Sequence, residues 1–192
     1  TADIVGGNHA KAMEVFLINS SHDVDFIVRG EGEVTLPNLL EALQKGARPS
    51  QVNGISYKEK NSVINTLGVP LMTNLDELPI PAYHLLPLDK YSRYNIMASR
   101  GCPFNCSYCA SKVIFGRKVR YRPPKLVIDE MEYLLQNYGA RHFWFSDDTF
   151  ISNPKYTNLL LDELVERDLD ITWSCLTRVD IVTKELLEKM KK

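Results

Sequence analysis

Three of the four cysteines fall within eight residues, in the stretch Ser99-Arg100-Gly101-Cys102-Pro103-Phe104-Asn105-Cys106-Ser107-Tyr108-Cys109-Ala110. Thiols crowded into one loop read as metal ligands rather than as a disulfide frame when the compartment is reducing. Their number narrows the kind of metal. A structural zinc ion takes four protein ligands, usually as two paired knuckles, and the sequence has no second knuckle. A cubane iron–sulfur cluster has four irons and is normally held by four thiolates, so three thiolates leave one iron open to a ligand that is not protein. The fourth cysteine, Cys175, stands far off in an apolar run, where packing in a strand is its simplest role.

The spacing of Cys102, Cys106 and Cys109, with Tyr108 as the aromatic before the last cysteine, resembles the cluster loop of radical S-adenosylmethionine (radical SAM) enzymes. That resemblance implies a [4Fe-4S] cluster on the three cysteines, its open iron chelated by the amino and carboxylate groups of S-adenosylmethionine. It implies further that an electron from the cluster breaks the sulfonium C–S bond, and that the resulting 5′-deoxyadenosyl radical takes hydrogen from a small-molecule substrate. A one-electron donor of the flavodoxin or ferredoxin type would be the protein partner. By the same resemblance Tyr108 lies near the adenine. Ser146-Asp147-Asp148 stands where many relatives carry a glycine–glycine–glutamate turn that binds the methionine amino group.

Each of these residues also has a plainer role. Asp147 and Asp148 could cap the loop or helix after their strand. Arg178 could clamp a carboxylate through its bidentate fork, or pair with Asp148 or Asp180. Tyr108 could simply pack in the loop. Phe143, Trp144 and Phe145 are most simply strand core. Lys112, Arg117, Lys118, Arg120, Arg122 and Lys125 form a basic run after the loop, which reads as a solvated surface, with RNA contact the less favoured reading.

The elements that must hold these groups follow the pattern of an α/β protein. Residues 2–7 read as a strand end breaking into the Gly6-Gly7 turn, residues 10–18 as a helix, and Val24–Val28 as a second strand. Gly6-Gly7-Asn8-His9 and Arg29-Gly30-Glu31-Gly32-Glu33 resemble the last portion of the cobalamin-binding domain that precedes the barrel in one large radical SAM subfamily, which makes Gly6 and Gly7 candidate cofactor contacts. The aspartate–histidine–glycine motif that supplies the axial histidine in many relatives is not among these 192 residues; cobalamin is therefore expected of a longer protein rather than of this stretch. His9 reads as a solvated histidine.

Thr35 to Gln44 has helical spacing closed by Gly46, residues 52–57 and 63–67 flank a polar turn, and prolines 79, 81 and 87 mark an extended linker. From Tyr94 the alternation is regular. A strand and the cysteine loop lead to a helix from Pro124 to Gly139. Strand 142–146 precedes a helix capped by Asn153, and strand 171–176 precedes a helix capped by Thr183. Three strand–helix units in a row predict parallel strands, the opening part of a β/α barrel that in this family has about six units. The expected organisation is thus the carboxy-terminal remnant of a Rossmann-like cobalamin-binding domain over residues 1–35, a helix, hairpin and proline-rich linker over 36–93, and the first half of a radical SAM barrel over 94–192. Both ends read as cut, so the chain is expected to be a piece of a longer protein.

Composition bounds the partners. With 44% apolar and 24% charged residues and a net charge of −1, the chain is of globular type, without bulk attraction to nucleic acid or membrane. No apolar run approaches the roughly 20 residues that span a bilayer, and a cytoplasmic location is expected. Two alternatives remain at this point. A tRNA methylthiotransferase-like radical SAM protein would need cysteines for a second cluster in residues 1–93, which hold none. A structural zinc or electron-transfer module would need a fourth nearby ligand.

Overall fold

The computed structural model describes residues 2–21 and 23–192 and divides into two compact units, 1–72 and 73–192. The first unit is built on a four-stranded sheet in the order β1 (Ile4–Val5), β2 (Phe26–Val28), β3 (Ile55–Glu59), β4 (Ser62–Asn65). Between β1 and β2 run α1 (Asn8–Ala12) and α2 (Glu14–Ser20), and between β2 and β3 runs α3 (Gly32–Gln44). The single helix read over residues 10–18 is two, broken at Met13. β2 is buried on both faces: Phe26 and Val28 pack with Leu39, Val52, Ile55 and Tyr57, while Ile27 packs with Ala10 and Ile18. A strand covered on both sides needs a continuous apolar run, and Phe26-Ile27-Val28 is one.

β1 and β2 are parallel, as a β–α–β reading requires, but β3 and β4 extend the sheet as an antiparallel hairpin. Gly46, at φ +66°, ends α3. Its amide donates to the Leu43 carbonyl, and that of Ala47 donates to Ala42, the paired bonds of a Schellman stop.

The second unit begins with an extended segment holding three short 3-10 turns, whose Leu75, Tyr83 and Leu88 are buried. A three-stranded parallel sheet follows, in the order β5 (Tyr94–Ile96), β8 (His142–Phe145), β9 (Thr172–Cys175). Between β5 and β8 come a two-stranded ribbon, β6 (Ser99–Arg100) with β7 (Arg120–Tyr121), the short α4 (Ser111–Ile114), and α5 (Pro124–Tyr138). Helix α6 (Pro154–Arg167) joins β8 to β9, and α7 (Lys184–Met190) follows.

Local chemistry explains these boundaries. Pro124 opens α5, and Gly139 at φ +66° closes it. The Asn153 side chain accepts the amides of Lys155 and Tyr156, and Thr183 accepts that of Leu186. Val127, Ile128, Met131 and Leu134 of α5 and Leu160, Leu161 and Leu164 of α6 cover the sheet face that carries Ile96, Phe143 and Phe145. Burying such side chains is worth about 1.5–3 kcal/mol each before chain entropy is charged against it. Val165 of α6 and Leu187 of α7 are exposed, and Trp144 alternates to the other face of its strand with Arg93 5.1 Å over its ring. No helix among the described residues is long and apolar enough to cross a membrane.

Candidate functional site

The cysteine loop leaves the carboxyl end of β5, and the neighbouring strand ends hold its entry in place. After β8 the Ser146 amide donates to the Ile96 carbonyl at 2.8 Å. Asp147 turns inward and is 4% exposed. Its Oδ2 accepts the Ala98 amide at 3.1 Å, and its Oδ1 accepts the Ser99 hydroxyl at 2.5 Å. Burial pushes this carboxyl above the usual carboxylate range, while the bonds from Ser99 and Ala98 pull the other way.

The Ala98 carbonyl is shared between the Arg122 amide at 2.9 Å and the Tyr156 hydroxyl at 3.2 Å. Arg122 itself is buried, its Nη1 on the Met97 carbonyl at 3.0 Å and its Nη2 on Glu130 at 2.6 Å. Glu130 also accepts the Tyr83 hydroxyl at 2.5 Å.

Beyond β6 the chain turns at Gly101, whose φ is +100° and where an added Cβ would meet the Lys118 carbonyl oxygen at 2.7 Å. Only glycine combines that dihedral with that approach. Cys102 is buried, its amide facing the Gly116 carbonyl and its Sγ 3.3 Å from Thr149 Oγ1. Cys106 and Cys109 are half-buried and linked by a turn in which the Cys109 amide donates to the Cys106 carbonyl at 3.2 Å. Arg178, just past β9, lies 4.4 Å over the Phe104 ring and donates from Nη1 to Cys106 Sγ at 3.1 Å. All three strand ends therefore reach this loop, the edge where parallel β/α folds gather their chemistry.

The individual residues depart from the sequence reading in instructive ways. Of Ser146, Asp147 and Asp148, only the first and last are exposed; the Asp147 carboxylate is committed to Ala98 and Ser99 rather than free for a ligand amine. Arg178 pairs with Asp180 through both Nε (2.9 Å) and Nη2 (2.6 Å), so the fork expected for a carboxylate clamp is engaged within the chain. Tyr108 is 91% exposed, away from the core of this unit. Gly7 sits at φ +94° before α1 with nothing within 4 Å of an added Cβ, whereas Gly6 lies against Val28.

Cys175 is half-buried on β9, its thiol pushed up to about 11 chiefly by burial. The basic run is not one solvated surface: Arg120 and Arg122 are buried, and Arg117 donates to Asn105 at 2.6 Å. Three participants were missed by sequence reading. Ser99 and Thr149 flank motif residues, and Tyr156 reads as part of an apolar helix stripe. Position at a strand end was the available signal for the first two.

The donor chemistry fits an iron–sulfur cluster. Three free, soft thiols share a loop, with a guanidinium in contact with the Cys106 sulfur. Among the described residues no three His, Cys, Asp or Glu side chains converge as a ready ion cage. Cys102 faces Thr149, Cys106 faces Arg178, and residues 103–110 between them form neither helix nor strand. A separate cleft of about 340 Å³, lined by Leu161, Leu164, Ile171, Trp173 and Met190, lies at the amino-terminal approach to β9, away from this edge.

The chain is similar to several known proteins. The chain is 38% identical over 193 residues to an uncharacterized methyltransferase of Pyrococcus horikoshii, covering 98% of this chain and 42% of that protein. It is 35% identical over 196 residues to the anaerobic magnesium-protoporphyrin IX monomethyl ester cyclase of Rubrivivax gelatinosus, covering 96% and 35%. Among solved structures, the cobalamin-dependent S-adenosylmethionine radical enzyme OxsB, with aqua-cobalamin and S-adenosylmethionine bound, superposes with a TM-score of 0.75 at 24% identity, covering 98% of this chain and 28% of that one. The radical S-adenosylmethionine methyltransferase TsrM of Kitasatospora setae superposes with a TM-score of 0.68 at 20% identity, covering 85% and 34%. The chain thus spans less than half the length of each of these proteins. Residues 96–192, from the end of β5 through the cysteine loop to α7, match the model of the radical SAM superfamily, and the chain belongs to that superfamily.

Proposed function

We propose that this chain is the central portion of a cobalamin-type radical SAM enzyme, and that Cys102, Cys106 and Cys109 hold its [4Fe-4S] cluster. In this reading the unit of residues 1–72, whose sheet is extended by the β3–β4 hairpin, carries the end of a Rossmann-like cobalamin-binding domain, and residues 94–192 open a β/α barrel. The observation that carries it is the meeting of three strand ends at the cysteine loop, with Asp147 on Ser99, Thr149 on Cys102 and Arg178 on Cys106. When bound, the cluster supplies the electron that cleaves S-adenosylmethionine reductively to a 5′-deoxyadenosyl radical.

The chain's own residues do the holding. Asp147 and Tyr156 fix the strand end from which the loop springs, and Arg178 keeps positive charge beside the Cys106 sulfur. Tyr108 in the loop and Ser146 and Asp148 after β8 are exposed, and their polar atoms are the candidates to meet a nucleoside and an amino-acid tail. A reducing, cytoplasmic setting and a one-electron donor of the flavodoxin or ferredoxin type suit a cluster of this kind. The relatives point to a small-molecule substrate undergoing methylation or ring and carbon-skeleton chemistry. The test is anaerobic incubation of the full-length protein, cluster reconstituted, with S-adenosylmethionine and a low-potential reductant. 5′-Deoxyadenosine or S-adenosylhomocysteine should form, and intact S-adenosylmethionine beside a fully loaded, reduced cluster would refute the reading.

A further inference from the structure

Cys102 and Thr149 form a pair unlike the other contacts of the loop, because both partners are immobilised by the fold. Cys102 is 8% exposed and follows Gly101, which is wedged against the Lys118 carbonyl; Thr149 is 4% exposed. The Thr149 hydroxyl lies 2.8 Å from the Asp148 carbonyl and 3.3 Å from Cys102 Sγ. It has one hydrogen to give. With Cys102 a neutral thiol, the S–H donates to Thr149 Oγ1 and the hydroxyl donates to the Asp148 carbonyl, so both hydrogens are used. With Cys102 a metal-bound thiolate, the S–H is gone, and a charge-assisted bond to sulfur outweighs one to a neutral carbonyl. The hydroxyl hydrogen then turns to Cys102 and leaves the Asp148 carbonyl.

Hydrogen bonds to ligand sulfurs stabilise the more negative, reduced state of an iron–sulfur cluster and so raise its potential. We infer that Thr149 is a potential-setting residue, its hydroxyl donating to the Cys102 thiolate and easing one-electron reduction of the cluster. The inference rests on the cluster assignment above, but it concerns a residue outside the cysteine motif and a property other than assembly. Arg178 on Cys106 acts in the same direction, but its side chain is also held by Asp180; Thr149 is the buried donor.

The experiment is a dye-mediated redox titration, read by electron paramagnetic resonance, of the full chain reconstituted with iron and sulfide, without S-adenosylmethionine. Wild type, T149S and T149V are compared after iron and sulfide content has been measured. T149S keeps the donor and should titrate with wild type. T149V, of similar shape without the donor, should show a reduced-to-oxidised ratio about tenfold lower at the wild-type midpoint, a shift of about 59 mV downward for one electron. Equal ratios in all three would overturn the inference. If T149V does not load, T149A takes its place; loading by T149S but by neither donorless variant would also overturn it, because the hydroxyl would then serve assembly. Absence of a cluster from wild type would instead be a failure of the cluster assignment itself.

Discussion

The Ser99 hydroxyl donates to Asp147 Oδ1 at 2.5 Å, and the other oxygen of the same carboxylate takes the Ala98 amide at 3.1 Å. One buried side chain after β8 thereby fixes Ala98 and Ser99, the residues between β5 and the cysteine loop. Replacing Asp147 by Asn leaves one of the two donors facing an NH2 group. D147N should lower the free energy of unfolding by about 1–3 kcal/mol, and S99A by about 1 kcal/mol. Urea unfolding of both singles and the double should show the two effects to be non-additive, since each removes the same bond. Additive losses would mean that the carboxylate and hydroxyl act independently.

The buried triad of Tyr83, Glu130 and Arg122 ties the extended entry segment to the base of the loop. Removing one charge strands the other, so E130L or R122M alone should cost about 3–5 kcal/mol, whereas the double replacement should be milder. Y83F removes only a hydroxyl and should cost about 1 kcal/mol. Thermal or urea unfolding orders the four variants. A double variant worse than either single would contradict this account of the pair.

Cys175 titrates late. Burial pushes its thiol to about 11 from an ordinary value near 9, so the folded chain holds that proton where the unfolded chain has released it. Stability from this group is therefore present below about pH 9, falls as pH rises through the interval to about 11, and levels off above it. In the cluster-free protein Cys175 should accordingly alkylate more slowly at pH 8 than the equally half-buried Cys106 and Cys109, with its rate climbing toward pH 11. Mass spectrometry of iodoacetamide-labelled peptides reads this directly. Labelling of Cys175 at the rate of Cys106 or Cys109 would contradict it.

Much of the second unit was legible from residues with one strong local preference. Pro124, Gly139, Asn153 and Thr183 mark helix ends because each satisfies or spares backbone groups in a way few residues can, and the helices begin or stop at them. The cysteine spacing named the site for the same reason. What escaped the sequence were pairings across the fold. Asp147 read as a ligand-facing acid because strand ends offer both an inward and an outward direction, and alternation after β8 sends it inward while Ser146 and Asp148 point out. Arg120 and Arg122 read as surface because a basic run is usually solvated, yet the β6–β7 ribbon carries them inward, where Glu130 on α5 compensates Arg122. In the first unit the β3–β4 hairpin joins the sheet that begins with parallel strands; nothing in residues 1–35 alone announces it. Thr149 has no propensity signal at all, and its role exists only through the approach of Cys102.

The central claim is that Cys102, Cys106 and Cys109 together hold one iron–sulfur cluster. Iron and acid-labile sulfide should be counted after anaerobic reconstitution of the full chain, for wild type and for C102A, C106A, C109A and C175A. The account predicts about four irons and four sulfides per chain in wild type and C175A, and loss of both on replacing any cysteine of the loop. One zinc per chain without labile sulfide, or a cluster that survives in C102A, would contradict it.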